Sequence, residues 1–258
     1  MNYGMQISAS GALAALYRQD VHSNNLANAS TAGFKPVVPT VRQRDDVRTE
    51  DGVHFLPSNA LLERLGGGVQ MAPNHVRFEQ GAITPSNNPL DVAIRGEGFL
   101  VVRANRGEAQ DRMTRDGRLT LDREGRLVRA SDGLPVLDTA GRTITLPRDG
   151  HVTIDERGTI RVSGQEAATL QFVAFDPGVE LRPEGDGLFS VHGPNQARRL
   201  AGNGTILQGM VEQSAVDEFD AMMKIAEAGR AFGANLTLIG YHDRVLEQAI
   251  GTLGRVMA

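Results

Sequence analysis

An unbroken apolar stripe in the last part of the chain constrains the fold more than any other feature. Between residues 213 and 257 no proline occurs, and eleven positions follow one another at alternating spacings of three and four residues. Nine of the eleven are apolar. This period predicts a single helix about 65 Å long at 1.5 Å per residue. Such a helix must bury its stripe against other helices. The stripe positions are Met222, Ile225, Gly229, Phe232, Leu236, Ile239, Asp243, Leu246, Ile250, Leu253 and Met257.

A second helical pattern opens the chain. Residues 5 to about 29 contain no proline and are rich in small residues, and Gly33 is a plausible left-handed cap that ends the helix. Five of seven seam positions are apolar, which is typical of a coiled coil with a weak middle. The seam is Met5, Ala9, Ala12, Leu16, Gln19, Ser23 and Leu26. We expect the two terminal helices to pair with each other or with copies of themselves.

The middle of the chain has the pattern of an all-β domain. All 11 prolines lie between residues 36 and 208, and short alternating segments recur from about residue 74. Asp122 with Gly125, and Asp155 with Gly158, predict two similar hairpin turns in which the glycine has a positive φ. The predicted strands are Leu90–Ile94, Phe99–Arg103, Arg118–Leu121, Arg126–Arg129, Thr143–Leu146, His151–Ile154, Thr159–Val162 and Leu170–Phe175.

These patterns predict an α+β chain in four parts. Residues 1–35 form an N-terminal helical assembly segment, and residues 36–73 form a linker or extended segment. Residues 74–208 form the central β domain, and residues 209–258 form a C-terminal helical assembly segment. The long terminal helices pair in this prediction as a coiled-coil-like bundle.

Composition excludes several classes of function. The chain has no cysteine, which excludes disulfides, zinc thiolates, iron–sulfur ligation and a cysteine nucleophile. Its formal net charge of -4 gives no global positive excess for nucleic acid. Residues 103–129 contain eight arginines and five acids but no interleaved aromatic residues. We therefore expect a mixed surface there and no nucleic-acid partner.

Catalytic and metal-binding patterns are missing from the sequence. The six histidines are scattered, and no two have the spacing of metal ligands on one helix. Residues 66–68 are three glycines without the following Lys-Ser/Thr of a phosphate loop, so they indicate a hinge. We predict no catalytic, cofactor-binding or metal-binding residues, no cofactor, and no enzymatic activity.

Targeting signals are equally sparse. The longest apolar runs, such as Phe99–Val102, are far shorter than the roughly 20 residues of a membrane helix. The first residues lack the basic and apolar regions of a cleavable signal peptide. We expect neither direct membrane insertion nor a cleaved signal.

Several motifs carry a resemblance to a known family. SNNLANASTAGFK at residues 23–35 resembles the N-terminal signature of the bacterial flagellar axial proteins, which build the rod and hook. NNPLDVAIRGEGF at residues 87–99 and TRDG at residues 114–117 look like their β domain. GMVEQSAV at residues 209–216 and DRVL at residues 243–246 are similar to their C-terminal segment. Length and a single β domain make the chain most similar to the basal-body rod proteins, of the distal-rod or proximal-rod type.

The resemblance implies a structural subunit of the periplasm-spanning rod in the flagellar basal body. It implies self-assembly through the terminal helices into a helical tube that transmits torque, and type III export without a cleaved signal peptide. The implied partners are copies of the chain, other flagellar rod and hook proteins, and the flagellar export apparatus. The alternative is a soluble β-domain hydrolase or carbohydrate-binding module with helical flanks for oligomerisation.

Some candidate assembly residues have two interpretations. Asn24, Asn25 and Asn28 are either a polar face between subunits or residues that end the helix. Asp243 either forms a register-setting ion pair with an arginine of a neighbouring subunit or stays hydrated in a groove. Gly229 either permits close helix packing or is a local weakness. The other candidates are Leu16, Leu26, Met222, Ile225, Phe232, Leu236, Ile239, Leu246, Ile250 and Leu253.

Overall fold

The protein folds into two compact units. The structure, a computed structural model, describes residues 3–50, 52, 55, 57, 65–104, 110–176, 179–192 and 199–256. Unit 1 comprises residues 1–27, 37–75 and 217–258, and unit 2 comprises residues 28–36 and 76–216. None of the helices in the described residues combines the length and the apolarity that a bilayer span requires.

Unit 1 is built on two long helices. Helix α1 is Tyr3–Ala27 and helix α3 is Glu218–Val256, and a short helix α2 is Val47–Glu50. The two long helices pack against each other along their lengths. Gly4 lies beside His242 and Gly11 beside Asn235, so the helices are antiparallel. The predicted α+β class with paired terminal helices is confirmed.

Both long helices differ from the prediction at one end. Helix α3 begins five residues later than predicted, because the chain up to residue 215 is still bonded within unit 2: the backbone N–H groups of Gln213 and Ala215 donate to the carbonyls of residues 82 and 34. Asp217 then accepts a hydrogen bond from the N–H of Asp220 at 3.0 Å, as an N-cap does. Helix α1 ends at Ala27, so Gly33 does not cap it.

The chain between the helices of unit 1 forms a two-stranded sheet. Its strands are β1 (Val37–Gln43) and β2 (Val69–Val76). Both lie largely within the segment predicted as a linker or extended connection. Helix α1 packs on β1, so this segment contributes structure to the helical unit.

Unit 2 is all-β, and its largest sheet has six strands in the order β13-β14-β6-β5-β12-β15. Three strands form the sheet β11-β10-β9, and three antiparallel pairs are β16-β4, β17-β3 and β7-β8. The strands are β3 (Ile83–Pro85), β4 (Val92–Arg95), β5 (Phe99–Ala104), β6 (Gln110–Thr114), β7 (Leu119–Leu121), β8 (Leu127–Arg129), β9 (Val152–Ile154), β10 (Thr159–Val162), β11 (Gln165–Thr169), β12 (Phe172–Phe175), β13 (Glu180–Gly185), β14 (Leu188–His192), β15 (Arg199–Ala201), β16 (Thr205–Gln208) and β17 (Met210–Glu212).

Strand β5 is the centre of the unit 2 core. Leu100 and Val102 point into one apolar cluster, whereas Phe99 and Val101 point into another on the opposite face. Because successive side chains of a strand alternate between faces, a strand buried on both sides reads as a continuous apolar run. This explains the run that the sequence shows at residues 99–102.

The two predicted hairpin turns are present, but one predicted strand is not. Gly125 and Gly158 have φ values of 77° and 84°, and each donates its N–H to the carbonyl three residues earlier. Residues 143–146 were predicted as a strand. They form only isolated bridges, although Ile144 and Leu146 are buried in the core. Residues 143–146 are therefore an irregular segment that fills the core without forming a β-ladder.

Candidate assembly surface

Helix α1 meets helix α3 through a row of small residues. We call Gly4, Ser8, Gly11 and Ala15 the small face of α1; Ser8 and Ala15 are buried. A Cβ atom on Gly11 would lie 2.7 Å from the Oδ1 atom of Asn235, and one on Gly4 would collide with the imidazole of His242. The small face thus lets the two helices approach closely.

The row of α3 residues that faces α1 coincides with the predicted stripe only at every second position. At the other positions, the residue just before the stripe position makes the contact. Asn235 and His242 contact α1, and Ala221 and Ala228 are buried on the same face. Ile225, Phe232 and Ile239 belong to both rows and are half-buried. The prediction missed the smaller residues of this face, because alanine and asparagine are weak signals in an apolar period. The small face of α1 does have a sequence signal, because its small residues recur at spacings of four, three and four.

The other half of the predicted stripe is exposed. Met222 is 52% exposed and Leu236 is 48% exposed, and Gly229 and Asp243 continue the same line. One residue corresponds to a rotation of about 100° on a helix, so these positions lie beside the contact with α1. The stripe is therefore divided between an intrachain contact and an open apolar surface.

Helix α3 continues past the start of α1. The pairing of Gly4 with His242 places Tyr3 level with Asp243. All residues from 243 to 252 are exposed, including Leu246 (40%) and Ile250 (69%). We call residues 243–256 the α3 overhang. Leu253 lies within it, but its side chain is outside the described part of the structure.

The predicted asparagine face is divided between different roles. Asn25 is buried, donates to the carbonyl of Val37 at 2.7 Å and accepts from the N–H of Val37 at 2.9 Å. Asn28 accepts from the hydroxyl and the N–H of Thr31, which forms a turn. Asn24 is exposed. Asn25 and Asn28 thus support the chain itself.

Leu16, which was predicted on the α1 seam, is 41% exposed, whereas Leu26 is half-buried.

Three polar contacts join helix α1 to the β1–β2 sheet. Besides Asn25, the hydroxyl of Tyr17 donates to Asn74 at 2.6 Å, and Ser10 accepts from the N–H of Val69 at 3.2 Å. Helix α1 therefore contacts both α3 and the β1–β2 sheet.

The glycines of α3 do not meet the described part of the chain. A Cβ atom built on Gly229, Gly233 or Gly240 finds no other described atom within 4 Å, apart from the backbone of its own helix turn. Close approach between helices inside the chain depends on Gly4 and Gly11 instead. The predicted packing role of Gly229 stays a prediction.

A buried ion network fixes the two ends of unit 2. The ammonium group of Lys35 lies 2.6 Å from Glu212, and both side chains have 0% exposure. Arg115 approaches the other oxygen of Glu212 at 3.4 Å and donates to the carbonyl of Gly96 at 2.8 Å. Burial lowers the pKa of Lys35, while the hydrogen bond from Lys35 to Glu212 acts in the opposite direction. Burial likewise lowers the pKa of Arg115. The network joins residues 35 and 212 through one carboxylate.

The motif residues of unit 2 that carry the family resemblance make contacts within the unit. Asp91 accepts hydrogen bonds from Ser86, from Asn88 and from the N–H of Leu119. A Cβ atom on Gly117 would collide with the carbonyl oxygen of Val92, so glycine is required there. Asp91 and Gly117 therefore have structural roles in this unit.

Most of the described arginines of the arginine-rich segment are paired with acids of the chain. Arg118 lies 3.0 Å from Asp116, Arg126 lies 2.6 Å from Asp122, and Arg129 bonds to Asp132. These pairs leave the described arginines of the segment without a uniform positive face. Within the ranges that the structure describes, no group of three His, Asp or Glu side chains has a geometry suited to a metal ion.

Comparison with known proteins identifies the family. Residues 5–35 match the family model described as "Flagella basal body rod protein", and residues 93–162 match "Flagellar hook protein FlgE/F/G D1 domain". The chain is 33% identical to the flagellar basal-body rod protein FlgF of Caulobacter vibrioides over 92% of both chains. It is 29% identical to FlgG of the same organism over 94% of this chain and 96% of that one. It is 30% identical to FlgF of Salmonella typhimurium over 93% of both. From these matches, which span both terminal segments and the β unit, it follows that the chain belongs to the flagellar basal-body rod protein family.

Proposed function

We propose that the chain is a structural subunit of the flagellar basal-body rod that assembles through its terminal helices into a helical axial tube and transmits torque. The observation that carries the assembly mechanism is the open apolar surface of α3. Met222, Leu236, Leu246 and Ile250 leave between 40% and 69% of their surface exposed. Burial of apolar surface stabilises association by about 25 cal/mol per Å². A row of such side chains therefore favours contact with other helices.

The proposal extends to partners and location. Copies of the chain and other rod and hook proteins are the proposed neighbours, with the export apparatus as the route out of the cytoplasm. The proposed site is the rod of the basal body, reached without cleavage of a signal peptide. No role in binding nucleic acid or in membrane insertion is proposed.

The alternative of a hydrolase or carbohydrate-binding module has no support. The relatives that match over more than nine tenths of the chain are named as basal-body rod proteins. A cavity of about 320 Å³ in unit 2 is lined by Phe78, Phe99 and Phe175, with Arg115 beside them. The guanidinium of Arg115 bonds to Glu212 and to the carbonyl of Gly96 through its two terminal nitrogens.

The test places a charge on the open surface. Leu246→Lys or Ile250→Lys is expected to stop rod assembly, because a lysine must enter a dry layer between helices or push them apart. Gln248→Lys is the control, since residue 248 lies on the opposite side of the helix. The measurements are motility, recovery of basal bodies and circular dichroism of the purified chain. Normal rods in both stripe variants would refute assembly through this surface.

A further inference from the structure

Methionine is the only sulfur-containing residue type of this protein. The sequence has 8 methionines and no cysteine. Peroxides oxidise protein sulfur, and a methionine thioether takes up one oxygen atom to become a polar sulfoxide. Because no thiol competes for the oxidant, the methionines that solvent reaches are the expected site of this reaction.

The methionines whose side chains the structure describes differ widely in exposure. Met113 is 1% exposed in the core of unit 2, and Met5 and Met210 are half-buried. On α3, Met222 is 52% exposed and its neighbour Met223 is 67% exposed. Since oxidation follows exposure, these two adjacent residues are accessible to a peroxide while Met113 is protected.

The two α3 methionines lie outside the contact with α1. One residue corresponds to a rotation of about 100° on a helix. Met222 is therefore beside the buried Ala221, and Met223 is on the far side of the helix from it. Phe219 is 81% exposed and lies four residues before Met223, so the two are neighbours on the helix surface. Oxygen added to either sulfur would change the open apolar surface of α3 without entering the α1–α3 contact.

We propose that a hydroperoxide oxidises Met222 and Met223 in the unassembled chain, and that the sulfoxides prevent this surface of α3 from packing against other subunits. The inference rests on the proposed function, because the oxidation has this consequence only if α3 packs in the rod. A sulfoxide in a dry contact between helices is a buried polar group, which is unfavourable unless it finds a hydrogen-bond donor.

The chemical step is a two-electron oxygen transfer. With hydrogen peroxide, a lone pair of the sulfur attacks one peroxide oxygen, the S–O bond forms and the O–O bond breaks. The transferred hydroxyl gives its proton to the departing hydroxide, which leaves as water. Sulfur loses two electrons and the peroxide gains them.

The first test compares oxidation of the free and the assembled chain. The purified chain and purified basal bodies are treated with hydrogen peroxide, and their peptides are analysed by mass spectrometry. In the free chain, Met222 and Met223 should each gain one oxygen, Met113 should stay unmodified, and circular dichroism should show no loss of helix. In basal bodies, Met222 and Met223 should stay unmodified. Oxidation of Met113 as fast as the α3 pair, or equal oxidation of the pair in both samples, would overturn the proposal.

The second test imitates the sulfoxide with glutamine, which is similar in length to methionine and carries a polar oxygen. Met222→Gln with Met223→Gln should reduce motility and the recovery of basal bodies. Met71→Gln is the matched control, because Met71 is 51% exposed but lies on β2, away from the open surface of α3. Circular dichroism of the purified variants checks that both fold.

Normal rods in the double variant, or an equal loss of rods in the Met71→Gln variant, would show that polarity at the α3 methionines does not block packing. Either result would leave the rod function intact. Absence of the unmodified chain from purified basal bodies would instead overturn the proposed function itself.

Discussion

At the residue scale, Lys35, Arg115 and Glu212 form a network of three charged side chains in the interior of unit 2. Two cations share one carboxylate, and Glu212 also accepts a hydrogen bond from the N–H of Gly81 at 3.0 Å. The arrangement is stable only while all its members are present, because a buried charge without a partner costs several kcal/mol. Lys35 and Glu212 lie in two motifs of the family resemblance, but their contact was not predicted, because residues 177 positions apart carry no local signal of it.

Glu212→Gln is expected to lower the free energy of unfolding of the full chain by about 3–5 kcal/mol, because it leaves two buried cations without a carboxylate. Urea denaturation followed by circular dichroism measures the change. Arg142→Gln breaks a pair in which the arginine side chain is 78% exposed. It should cost less than about 1 kcal/mol. Equal losses from the two substitutions would show that the network does not stabilise unit 2.

At the element scale, the contact between α1 and α3 contains a titratable group. His22 of α1 is half-buried and lies in the field of Lys224, Asp220 and Glu227 of α3 and of Arg18 on its own helix. Burial is the main cause that lowers the pKa of His22 below its ordinary value of 6.5, and Lys224 acts in the same direction. Protonation of His22 therefore opposes the pairing of the two helices.

The helix pair should become less stable as the pH falls through about 6.5. The unfolded chain binds the proton more readily than the folded one, so stability is fully present above this pH and declines below it. Thermal melts followed at 222 nm, between pH 8 and pH 5, measure the effect in the wild type and in His22→Gln. The variant should lose less stability over this interval. Parallel curves for the two proteins would contradict the assignment to His22.

The sequence predicted the elements of this fold better than their contacts. The α3 period and the Asp122 and Asp155 turns are local signals, and both long helices and both turns are present. The rotation of α3 against α1 was not predictable from apolar spacing, because Ala221 and Ala228 are buried while the larger Met222 is exposed. The contact depends on which surface of each helix carries side chains small enough to allow close approach. Predicting it therefore requires both helices to be considered together.

At the scale of the whole molecule, the two units interleave along the chain. Unit 2 takes residues 28–36 from the beginning and residues 76–216 from the middle. Gly33 donates its N–H to the carbonyl of Glu212 at 2.8 Å, and Ala215 donates to Phe34 at 3.0 Å. We propose on this basis that the short first segment belongs to the β unit, in place of a central domain bounded by residues 74 and 208.

A fragment of residues 28–216 should be more stable than a fragment of residues 76–216. The shorter fragment lacks Lys35, so the expected loss is about 3 kcal/mol or more in the free energy of unfolding. Urea midpoints of the two purified fragments measure it. Lys35→Met in the longer fragment should reproduce part of the loss, which separates the charge from the segment. Identical midpoints for all three would place the domain boundary at residue 76.

The distance along the chain between Lys35 and Glu212 also sets an order of events. A polypeptide is synthesised from its N-terminus, so Lys35 is available long before its carboxylate. Helix α1 is without its partner for longer, because α3 begins only at Glu218. Neither end of the protein therefore has its partner until more than four fifths of the 258 residues have appeared. Until then neither Lys35 nor α1 has its native partner, so the last segment of the chain completes both units.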